Sequence, residues 1–94
     1  MSFYRITRFA SADMNKTREM AESMRSQQET LGAEFIDVVD YGNGKGVVLA
    51  KYPDQATMEA ATDTANAAFG KMVAAGVIDG DSIHPHVGEL IQSF

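Results

Sequence analysis

Phe35-Ile36-Asp37-Val38-Val39-Asp40-Tyr41, Gly42-Asn43-Gly44 and Lys45-Gly46-Val47-Val48-Leu49-Ala50-Lys51-Tyr52 form the stretch that decides the fold. β-Branched and aromatic residues dominate Phe35 to Tyr41 and Val47 to Tyr52, which is the composition of strands. Asn43-Gly44 suits positive φ at both central positions of a type I′ turn, so the two runs read as an antiparallel hairpin that reverses there. Neither strand is apolar on one side only. Val47 and Leu49 oppose Val48, Ala50 and Tyr52, while Phe35 and Val39 oppose Ile36 and Val38.

Downstream of the hairpin, Pro53 ends the strand and Asp54 is placed to cap a helix running to about Ala75, before Gly76. Its inward stripe is Met58, Ala61, Ala65, Phe69, Met72 and Val73, whose small members are expected to let the helix approach a sheet closely. Upstream, Phe3 to Phe9 reads as a strand with Tyr4, Ile6 and Arg8 on one face and Phe3, Arg5, Thr7 and Phe9 on the other. Ser11 or Asp13 can cap a helix from near Asp13 to about Leu31, closed by Gly32. Met14, Met20, Ala21, Met24 and Leu31 form its stripe, with Glu22, Arg25, Gln28 and Glu29 mostly off it, and the methionines read as core filling. The segment Ser82 to Phe94 reads as a last strand, with Gly88 at a bulge or close approach.

The expected order is strand, helix, strand, strand, helix, strand, and residues 1–94 read as a single domain. Two helices cover only one face of a four-stranded sheet, yet the hairpin strands are apolar on both. The simplest cover for the second face is the same face of a second copy. With 94 residues and no cysteine, neither a large core nor disulfides offer another route to stability. A net charge of −5 repels phosphate backbones and anionic lipid, so neither nucleic acid nor membrane is an expected partner. The N-terminus enters strand-like sequence without an apolar leader, and the expected location is cytoplasmic.

The βαββαβ order, the two-sided strands and the ending Gly88-Glu89-Leu90-Ile91 together resemble the dimeric α/β barrel superfamily, a ferredoxin-like α+β fold. That superfamily includes antibiotic biosynthesis monooxygenases, muconolactone isomerases and stress-responsive barrel proteins. The resemblance implies a four-stranded antiparallel sheet with two helices on one face, a homodimer joined through the sheets, and room for a small apolar or aromatic molecule. It further implies either a cofactor-independent monooxygenase or isomerase, or a binding or structural dimer without chemistry. Tryptophan, used in the pockets of many oxygenases and haem-degrading members, is absent, and no cofactor is expected.

His84 and His86 project to one face of the last strand, where two imidazoles suit catalysis or a metal. No spacing fixes a third ligand, so no metal site is assigned. Tyr4 and Arg8 are further catalytic candidates, and Arg5, Asp37 and Tyr41 are candidates for holding substrate: an arginine would fix an anionic oxygen and a tyrosine donate a hydrogen bond. The plainer reading pairs Arg and Asp across neighbouring strands or the dimer seam. Lys45-Gly46 and Tyr52 echo an RNA-binding strand, but Val47 and Leu49 stand where bases would stack.

Overall fold

The computed structural model describes residues 1–94 and contains four strands, β1 (Phe3–Ala10), β2 (Phe35–Gly42), β3 (Lys45–Tyr52) and β4 (His84–Glu89). They form one antiparallel sheet in the order β2-β3-β1-β4. The hairpin turns where the sequence places it, with φ of 58° at Asn43 and 73° at Gly44. A register shift between Asp40 and Gly42 puts Tyr41 on a bulge. The last strand is shorter than the Ser82–Phe94 span expected. Asp79–Ser82 turns through a short 3-10 segment, and Leu90–Phe94 leave the sheet after Leu90 N–H donates to Ser2 O.

Each expected helix is broken into two. The first comprises α1 (Met14–Ser23) and α2 (Arg25–Glu29), and the second α3 (Gln55–Ala60) and α4 (Thr62–Ala74). Ser23 Oγ donates to Met20 O at 2.6 Å, and Met24 N–H bonds to Ala21 O, so the chain tightens and breaks at Met24. At Ala61 the N–H is shared between Thr57 O and Met58 O, while Met58 O also accepts from Thr62 and from Arg5 on the sheet. Asp13 caps α1 through Lys16 N–H and Asp54 caps α3 through Thr57 N–H, as their positions suggest. Ser11 instead bonds Thr17 Oγ1 and Val77 O, tying the start of α1 to the segment after α4. None of these helices is long and apolar enough to cross a membrane.

All helices lie on one face of the sheet. Arg5, Thr7 and Phe9 of β1 and Gly46, Ala50 and Tyr52 of β3 are buried beneath them. Only 13 of 94 residues are buried, and the apolar ones fall into two small clusters. Phe9, Met24, Met72, Val77 and Ile78 form one, and Ala50, Tyr52, Met58 and Ala61 form the other. Gly46 allows the first cluster to close, because a Cβ there would stand 2.7 Å from Phe9 Cζ and 2.8 Å from Val39 O.

Candidate functional site

Between the sheet and the helices lies a cavity of about 770 Å³, bordered by members of both core clusters. Its origin is in the sequence. Ala61 is buried and allows close approach of helix and sheet, as expected, but Ala65 and Ala68 one and two turns on, with Ala21 and Ala50 opposite, do not fill the space. Small residues therefore create a void along the part of the helix where close packing is expected from the sequence. Phe69 and Met72 complete an apolar wall, and exposed Arg18, Glu22, Arg25 and Glu29 form a charged rim.

Arg5 is the main polar group inside. It is 9% exposed, and one terminal nitrogen donates to Met58 O at 3.0 Å and to Thr62 Oγ1 at 2.5 Å. The guanidinium carbon stands 5.8 Å from the centroid of the Tyr52 ring. Its other terminal nitrogen, Nη1, is buried without a hydrogen-bond partner. None of the protein's ion pairs, Lys16–Glu19, Arg25–Glu22, Arg25–Glu29 and Lys51–Glu34, includes Arg5. Burial pushes the Tyr52 phenol above its ordinary range, while the nearby Arg5 charge acts in the opposite sense.

Gln28 joins Arg5 on the cavity lining, and its Nε2 is likewise buried without a partner. Reading the helix stripe by apolar residues alone passes over it. Yet Gln28 is four residues after Met24 and three before Leu31, the spacing of one continuous inward face, so position rather than polarity is the signal. Thr17 lines the cavity by the same spacing, but its hydroxyl is engaged with Ser11 Oγ and Asp13 O.

The opposite face of the sheet carries no helix. Three rows of side chains cross it from β2 to β4: Phe35, Lys51, Tyr4, Gly88; Asp37, Leu49, Ile6, His86; and Val39, Val47, Arg8, His84. Tyr4, Arg8, Asp37, His84 and His86 therefore share the bare face, whereas Arg5 faces the cavity and Tyr41, on the bulge, is 52% exposed. Tyr4 and Arg8 cannot line one cavity with Arg5, because successive residues of a strand point to opposite faces and Arg5 is out of phase with both. Tyr4 packs edge-on against Phe35 at 6.1 Å. Asp37 pairs with neither Arg5 nor Arg8, since its row separates it from both. No three His, Asp or Glu side chains cluster closely enough to hold a metal ion.

No family model matches the chain, and no curated protein matches it by sequence. Among solved structures it is similar to Rv0793 from Mycobacterium tuberculosis, with a TM-score of 0.72 over 99% of this chain and 98% of that one. The fold is ferredoxin-like. At 12% sequence identity the likeness extends to the fold alone, so the ferredoxin-like frame positions the cavity and this chain's own residues define its chemistry.

Proposed function

We propose that this chain acts as a homodimer of the dimeric α/β barrel type whose helix–sheet cavity receives one small apolar or aromatic molecule per chain. The observation that carries the binding reading is the cavity itself: about 770 Å³, lined by 24 residues of which 14 are hydrophobic, with exposed charged side chains such as Arg18, Glu22, Arg25 and Glu29 at its rim. That is the size and character of small-molecule pockets, in which apolar walls supply affinity and isolated donors fix orientation. The dimer reading is supported by the bare face, where Ile6, Phe35 and Val39 remain 37–41% exposed around half-buried Val47 and Leu49. A second copy of that face is the cover of matching chemistry.

A catalytic version, a cofactor-independent oxygenase or isomerase, uses the same cavity. It is favoured by one feature, the fixed guanidinium of Arg5 in a low-dielectric enclosure, a setting suited to stabilising a developing oxyanion. The binding reading is tested with the neutral fluorophore N-phenyl-1-naphthylamine. One probe should bind per chain, and Ala68→Trp, which fills the cavity, should abolish binding. No uptake, or uptake unchanged in the filled variant, contradicts the proposal.

A further inference from the structure

We propose that the molecule held in the cavity carries an oxyanion, a carboxylate or phenolate on an apolar body, and that this oxygen docks on Nη1 of Arg5 with Nε2 of Gln28 as a second donor. The inference rests on the cavity being a binding site, as proposed above, and specifies what it binds. Arg5 is nine-tenths buried, and its fixed contacts are all neutral: a carbonyl, a hydroxyl and the face of an aromatic ring. A buried cation is ordinarily matched by a carboxylate, since burial strips away the water that stabilises its charge. The chain has thirteen acidic residues, yet none of its ion pairs reaches Arg5.

The unsatisfied group is also located. The other terminal nitrogen of Arg5 is fully engaged with α3 and α4, so the guanidinium is held in one orientation and Nη1 is its terminal nitrogen left buried without a partner. Gln28 reaches the same cavity from α2 with a second orphaned N–H group. Both open positions are donors, so the complementary ligand offers acceptors. A neutral acceptor would satisfy the hydrogen bonds and leave the charge unmatched. An oxyanion satisfies both, and charge-assisted hydrogen bonds from a preorganised guanidinium are the stronger kind. The remaining walls, among them Ala50, Ala65, Ala68, Phe69 and Met72, call for an apolar remainder.

The test compares 1-naphthoate with 1-naphthamide by calorimetric titration of the full chain. The two share ring, size and a carbonyl acceptor, and differ in charge. Naphthoate is expected to bind about tenfold or more tightly. Arg5→Met should remove that preference, and Gln28→Leu should reduce it. Equal binding of the two probes, or a preference that survives in Arg5→Met, overturns the inference while leaving the cavity a binding site. Binding of neither overturns the inference together with the reading beneath it. Should Arg5→Met fail to fold, the wild-type comparison and Gln28→Leu decide the matter unaided.

Discussion

Arg5 and Met58 are joined by a 3.0 Å hydrogen bond that ties a central strand of the sheet to the carbonyl at which the second helical run breaks. The same guanidinium holds Thr62, the first residue after the break. One side chain thus fixes the joint between α3 and α4 through Nη2 and keeps Nη1 buried without a partner beside the cavity.

This division predicts an unusual stability effect. Replacing Arg5 by Met removes a buried unmatched charge, and Met58 O keeps its bonds to Ala61 N–H and Thr62 Oγ1. Removing a buried charge in favour of an apolar side chain of similar length is often neutral or stabilising. Urea unfolding of Arg5→Met should therefore show stability unchanged or raised by about 1 kcal/mol. A loss of several kcal/mol would show that the clip outweighs the charge.

Gly46 should tolerate no side chain. A Cβ at this position meets the Phe9 ring at 2.7 Å and the backbone oxygen of Val39 at 2.8 Å, so Gly46→Ala forces the β2–β3 pair apart or displaces a core ring. The expected loss in chemical denaturation is about 1–3 kcal/mol.

Acid should weaken the fold through Asp54. Its bonds to the backbone and side chain of Thr57 hold its carboxyl below the ordinary value of 3.8. The folded-state affinity for a proton is depressed, so the stabilisation is fully present above that value and is lost as pH falls through it toward the folded-state value. Melting temperature measured between pH 6 and pH 2.5 should drop in that window. The drop should be shallower in Asp54→Ser, which can still cap but does not titrate there. Glu22, lowered by its hydrogen bond from Arg25, acts in the same direction, and because both carboxylates are fully exposed the drop is small.

The bare sheet face makes a separate prediction. Leu49 stands in the middle row of that face beside Ile6 and away from the cavity. Sedimentation equilibrium should give twice the 10.2 kDa chain mass for the wild type and a folded monomer for Leu49→Glu. A wild-type monomer at micromolar concentration contradicts the dimer.

Much of the frame is legible in the residues. The Asn43-Gly44 turn, the caps at Asp13 and Asp54 and the alternation of Phe3 to Phe9 each rest on one local rule, and all appear in the fold. The site is less legible because it depends on what fills space rather than on what projects where. The alanine stripe gives no sign of whether helix and sheet meet or stand apart, since the outcome depends on packing at Ala61, where α3 meets α4. Tyr4, Arg8, His84 and His86 attract notice as functional residue types, yet strand parity assigns them to the bare face. Gln28 escapes notice because a polar residue on a helix stripe interrupts the apolar pattern by which that stripe is recognised. The helix breaks at Met24 and Ala61 depend on a hydroxyl back-bond and on Arg5, contacts that periodicity does not encode.

The claim that the cavity, and not the bare sheet face, is the working site is tested most directly by amide chemical-shift mapping during titration with 1-naphthoate. The account predicts the largest shifts at Arg5, Thr7, Gln28, Ala68 and Phe69, which surround the cavity. Shifts concentrated instead at Ile6, Leu49, His84 and His86 would contradict it.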